Sequence, residues 1–187
     1  MIRSALAAVV VVALGAVASC AGRGPAPASV ANRGTDAAAA PAPGDVTAEP
    51  GSSAGGVAIG TAAAEVRHRL GAAESDDGEF LQYYRRGVSV ALLGERVDAL
   101  HLYRGVPGGY EDEPWQPFPL RLPGGLTWTT PEAEVRRVLG PPSAEGALDN
   151  APIPSHWLDY RARGVLFDFR DDDGRMYHVV IYAAGAQ

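Results

Sequence analysis

Two stretches of this chain, 69 positions apart, read almost alike, and that self-match constrains the fold more than any other feature. The first covers residues 60–71 and the second residues 129–140. Glu65-Val66-Arg67 matches Glu134-Val135-Arg136, and Leu70-Gly71 matches Leu139-Gly140. A match at fixed offset indicates one supersecondary unit used twice, each copy too small to bury its apolar side alone. Both stretches predict short helices. Thr61 and Thr130 suit the N-cap, and Pro131 suits the first helical position, where its missing N–H would be unsatisfied anyway. Val66 with Leu70, and Val135 with Val138 and Leu139, make an apolar stripe at helical spacing. Gly71 and Gly140 are C-terminal stops, and Pro141-Pro142 blocks continuation of the second helix.

The match continues beyond the helices. Arg86-Gly87-Val88 and Arg163-Gly164-Val165 each separate two β-rich runs, as a hairpin turn would. A second hairpin turns near Gly94-Glu95 in one copy and at Asp171-Asp172-Asp173-Gly174 in the other, where Asp-Gly is a strong turn signal. The final strands then span residues 96–103 and 175–182. Val165, Phe167 and Phe169 alternate with Leu166, Asp168 and Arg170, so one face of that strand is apolar. Residues 176–182 are apolar on both faces, which predicts a strand covered on both sides. The expected architecture is α+β: two helix-strand-strand-strand repeats forming an antiparallel sheet with both helices packed on one face. Repeat one spans 57–104, a connector 105–125 and repeat two 126–183, all within one domain over residues 56–187.

The N-terminus reads differently. Arg3 precedes an apolar run over residues 5–16, shorter than the ~20 residues a membrane span needs. A charged start, a short apolar stretch and small residues afterwards describe a signal peptide over residues 1–19. Val17-Ala18-Ser19-Cys20-Ala21 resembles the bacterial lipobox. The resemblance implies lipidation of Cys20, with a diacylglyceryl thioether on its sulfur and an acylated amino group. Several acyl chains together hold a protein stably at a bilayer, at about 0.8 kcal/mol per buried CH₂. Ala21 stands where an inner-membrane retention signal often has Asp, which leans towards an outer membrane. Residues 20–55 carry few large side chains and much Ala, Pro and Gly, and read as a disordered tether. It would span about 30 Å as a coil and about 100 Å as polyproline II.

Composition excludes some functions. The formal net charge is −6, and all 16 basic residues are arginine, with no basic run among them. A nucleic-acid binder needs a basic face to displace counterions, so none is expected. The single Cys excludes an internal disulfide. Asp168 with Asp171-Asp172-Asp173 is an acidic cluster, but lacks calcium-loop spacing and reads as a solvated hairpin tip. Ser155, His156 and Asp159 contain triad residue types, yet triad partners usually meet from distant parts of a chain. His68, His101 and His178 show no metal-ligand spacing. His101 and His178 occupy matching places in the two final strands. No catalytic residue, metal or cofactor is expected. The connector aromatics Tyr110, Trp115 and Phe118, with Trp157, are candidate partner-binding residues, because stiffened aromatics favour interface hot spots. The competing reading has Trp115 and Phe118 simply covering the sheet.

The capped helix, Glu-Val-x-x-x-Leu-Gly, the aromatic strand, Arg-Gly-Val and the following hairpin together resemble the tandem-repeat domains of the β-lactamase-inhibitory-protein and outer-membrane assembly lipoprotein (SmpA/OmlA-like) type, over about residues 57–183. Residues 122–128 also resemble the lead-in found in such proteins. What the resemblance implies is binding, in the inhibitor through the concave sheet face. This chain departs from the assembly lipoprotein in its two repeats and Pro-rich connector, and lacks the Cys pairs of the inhibitor, so neither partner carries over. The expectation is a non-enzymatic cell-envelope lipoprotein, held at a membrane through its lipid and binding a protein partner as an inhibitor, immunity protein or assembly accessory. The alternatives are a structural or lipid-contacting envelope protein without a specific partner, and an envelope hydrolase.

Overall fold

The computed structural model describes residues 46–105, 115–149 and 153–185. It opens with a small meander, β1 (Ala48–Glu49), β2 (Ser53–Ala54) and β3 (Val57–Ala58). Helix α1 (Ala63–Leu70) follows, then β4 (Ser75–Asp76), β5 (Phe80–Tyr83), β6 (Val88–Leu93) and β7 (Arg96–Tyr103). After the connector come α2 (Glu132–Leu139), β8 (Ala144–Ala147), β9 (Ser155–Tyr160), β10 (Val165–Arg170) and β11 (Met176–Tyr182). Strands β4 to β11 form one antiparallel sheet in the order β4-β5-β6-β7-β11-β10-β9-β8. The chain is therefore α+β and mostly sheet, with β7 and β11 side by side at its centre.

Directly opposed residues of neighbouring strands share a face. Leu81, Val90, Leu100, Ile181, Val165 and Tyr160 form one such row, and Tyr83, Val88, Leu102, Val179, Phe167 and Leu158 the next. All twelve are buried, so this is the core face. Val66 of α1 and Val135 of α2 are fully buried in the same core, each contributing about 1.5–3 kcal/mol. Tyr83, on the core face, donates from its hydroxyl to the Gly71 carbonyl at the end of α1. His156, stacked on Phe169, reaches Glu132 at the start of α2.

Both helices stop at glycine, Gly71 at φ 88° and Gly140 at φ 85°, as their spacing predicts. Their starts differ from expectation. Ala62 and Pro131 occupy the N-caps without side-chain capping bonds, so neither Thr61 nor Thr130 caps. Thr130 instead accepts from the Thr127 N–H, which fixes the preceding turn. Two further corrections concern the boundaries. The folded region begins before residue 56, because Ala48 and Ala54 are 1% and 2% exposed in the core. Each run of three strands also gains a short edge strand, β4 or β8. Trp157 lies on strand β9.

The two Arg-Gly-Val turns carry the closest backbone approaches. A Cβ on Gly87 would lie 2.3 Å from the Gln116 carbonyl oxygen, and one on Gly164 would lie 2.2 Å from that of Tyr182. Both glycines also have positive φ, 64° and 66°. Glycine thus lets connector residues 116–118 cross one turn, and Gly51 and Ala184 cross the other.

Candidate functional site

The sheet's second face is built from the alternate residues of the same strands. One row runs Gln82, Ser89, His101, Val180, Leu166 and Asp159. The next holds Tyr103, His178, Asp168, Trp157 and Gly146. Here the register brings together two residues of the β10–β11 hairpin and one from β7, 77 positions before His178. Asp168 Oδ2 is 2.6 Å from His178 Nδ1, and His178 Nε2 is 3.1 Å from His101 Nδ1. The Asp168 carboxylate accepts from the His178 Nδ1–H, which leaves His178 Nε2 to accept from the His101 Nδ1–H.

Rings enclose this relay. His178 stacks on His101 at 5.2 Å between centroids and on Tyr103 at 4.8 Å, and Phe80 sets its edge against His101. Burial of His101 pulls its pKa down to about 3, and the neighbouring His178 adds to the effect. Unfolded, the same group titrates near 6.5. The unfolded chain therefore binds more protons between these values, and stability falls as pH drops from about 6.5 towards 3. Urea unfolding of wild type and His101→Gln at pH 7.5 and 5 checks this. The wild type should lose clearly more stability on acidification, and equal losses would refute the assignment.

His156 works in the opposite sense on the core face. Its Nδ1 is 2.8 Å from Asp171 and its Nε2 2.9 Å from Glu132. Partial burial disfavours its charge, but bonds to Asp171 and Glu132 outweigh that and raise its pKa. Its contribution is present at low pH and is lost as pH rises through the raised value. This imidazole ties the start of α2 to the β10–β11 hairpin.

The residues singled out from sequence fall in several places. Cys20 and Tyr110 lie outside the described residues. Trp115 and Phe118 are buried, at 6% and 4% exposure, so they cover the sheet rather than present a surface. Trp115 packs against Tyr84 at 4.8 Å and Tyr103 at 4.9 Å. Trp157 is half-buried on the second face. Ser155, His156 and Asp159 do not converge. Ser155 lies 3.4 Å from the Tyr177 hydroxyl, His156 occupies the other face, and Asp159 bonds Tyr182 and Arg161. Burial and the bond to Asp159 together raise the Tyr182 pKa. Asp168 is separated from the hairpin tip, where Asp172 pairs with Arg170. The matched positions of His101 and His178 were the one sequence signal for the relay. Asp168 gave none, because its approach depends on strand register and on the irregularity between Asp168 and Phe169.

Comparison of the chain with family models, curated proteins and solved structures finds no match.

Proposed function

We propose that this chain is a membrane-anchored cell-envelope lipoprotein whose domain, a duplicated helix-and-strand unit, binds a protein partner through the second face of its sheet. The observation that carries the reading is the character of that face. Phe80, Tyr103, Trp157, Tyr177 and Tyr182 all lie half-buried there beside the two histidines. Aromatic side chains give large contact area at low entropic cost, and Tyr and Trp are enriched at interface hot spots. Among the described residues both helices lie against the other face. Acidic turns stand at opposite ends of the sheet, Asp76 to Glu79 before β5 and Asp171 to Asp173 after β10.

Matched contacts support the duplication. Arg86 donates to the Leu70 carbonyl as Arg163 does to that of Leu139. Arg67 pairs with Asp76 as Arg136 pairs with Glu145. In this reading Ala91 stands where the second copy has Asp168, so only one of the two matched histidines gains a carboxylate.

The anchor and the partner are tested together by crosslinking pulldown from intact cells. Wild type is compared with Cys20→Ala and with a Leu166→Asp, Tyr177→Ala variant, both of whose sites are half-buried on the second face. The expected result is loss of membrane association in the first variant and loss of one dominant partner in the second. Only abundant envelope proteins, in equal amounts throughout, would sink the partner. That outcome would favour a lipid-contacting role, for which one observation speaks. Leu122, Leu126, Leu139 and Phe167 line a cleft of about 340 Å³ that also includes Glu49 and Arg163.

A further inference from the structure

The two edges of the sheet are treated differently. Strand β4 has two residues, its Asp76 is held by Arg67, and Asp76 and Asp77 fold the following turn by accepting from backbone N–H groups. Short, charged, bent edges resist pairing with another strand. Strand β8 has twice the length and the sequence Ala-Glu-Gly-Ala, with neither proline nor bulge within it. Its second-face neighbour Leu148 is 42% exposed, one of three large apolar side chains so placed among the described residues. Trp157 lies across Gly146, where a Cβ would be only 2.7 Å from its Cζ2. Ala144, the Trp157 ring and Leu148 thus form an apolar strip along an edge that no further strand covers among the described residues.

We infer that β8 pairs antiparallel with β8 of a second copy of this chain, joining two sheets across a two-fold axis. The register follows from the ladder. The Leu148 N–H donates to the Ser155 carbonyl at 2.7 Å. Alternate residues of an antiparallel strand turn their backbone groups the same way. Ala144, Gly146 and Leu148 therefore bond inward to β9, and Glu145 and Ala147 point their N–H and C=O groups outward. Hydrogen-bonded pairing between copies must then match Glu145 or Ala147 with one of the same two residues. Glu145 opposite Glu145 would set like charges against each other, and Ala147 opposite Ala147 would set Glu145 against Asp149, both destabilising. Glu145 opposite Ala147 avoids that and repeats itself across the axis, giving about four backbone hydrogen bonds. Gly146 then faces Gly146 of the second copy, with a Trp157 ring over each. Ala144 faces Leu148, which covers the exposed leucine. Glu145 keeps its ion pair to Arg136 on the helix side. The interface is smaller than a standard one, so the dimer is weak in solution.

The register supplies the test. Ala144 and Leu148 of opposite copies form a non-hydrogen-bonded pair, with Cα atoms about 4.5 Å apart, within reach of a disulfide. The purified full chain at about 0.5 mM is treated with a mild oxidant as Ala144→Cys, as Leu148→Cys and as the double variant. The double variant should give roughly tenfold more crosslinked dimer than either single, whose crosslinking reports random encounter, since a thioether on Cys20 leaves that sulfur no free thiol. Adding Ala147→Pro to the double variant should abolish the excess, since that residue's N–H points away from the inner ladder. Equal crosslinking in all three, monomer throughout, or an excess that survives Ala147→Pro would overturn the inference.

Discussion

An alanine at Gly164 is expected to destabilise the fold by about 2–4 kcal/mol or more, a large share of the 5–15 kcal/mol that a domain typically has. Two costs combine. Gly164 has φ 66° and ψ 44°, a left-handed conformation that costs a residue with a Cβ about 1 kcal/mol. The new methyl would also sit 2.2 Å from the Tyr182 oxygen, 2.5 Å from Gly51 Cα and 2.9 Å from Ala184 N. All three are backbone atoms, so no side chain can rotate away, and overpacking of this kind typically adds 1–3 kcal/mol or more. Gly174 provides the control. It has a similar φ of 64°, but a Cβ there meets nothing within 4 Å. Gly174→Ala should therefore cost only about 1 kcal/mol. Denaturant midpoints of the two variants decide the matter. If Gly164→Ala is no worse than Gly174→Ala, the crossing segment yields and the close approach is unimportant.

Trp115→Ala and Phe118→Ala should each cost about 3–5 kcal/mol, the usual range for truncating a buried aromatic. Trp115 fills the space between Tyr84 and Tyr103. Phe118 lies against Gly55, while its backbone accepts from the Trp128 indole at 2.6 Å and donates to the Tyr103 carbonyl. Both residues pin the connector to the sheet, so a double variant would report unfolding rather than lost binding. The check is the urea midpoint of each single variant. A loss under about 1 kcal/mol for Trp115→Ala would mean that its ring packs against little and is available to a partner.

The legible parts of the fold were those written in local chemistry. Glycine stops, an Asp-Gly turn and strict alternation in β10 need only near neighbours, and they placed both helices and the hairpins. Strand β8 was not legible, because Ala, Glu and Gly are all poor strand formers. It forms because the edge of β9 offers it a ladder and Trp157 covers its glycine. The meander over residues 48–58 was missed for a related reason. Its small side chains look like tether, yet Ala48, Ala54 and Val57 fit the core because they are small. At the candidate site, sequence supplied two matched histidines but not their meeting. That depends on β7 lying beside β11, with Val180 opposite His101 and Tyr103 opposite His178.

The central seam between β7 and β11 also sets a schedule for synthesis. Tyr103 ends β7, and Met176, 73 positions later, begins the strand that pairs with it. At about 5–20 residues per second, the inner edge of β7 waits roughly 4–15 seconds for its partner to be translated. During that interval the first half of the sheet presents an unpaired edge that includes Leu100 and Leu102, which in the complete fold are fully buried and stand opposite Ile181 and Val179. The nascent chain is most vulnerable to aggregation then, and anything that slows translation between the two strands lengthens the exposure.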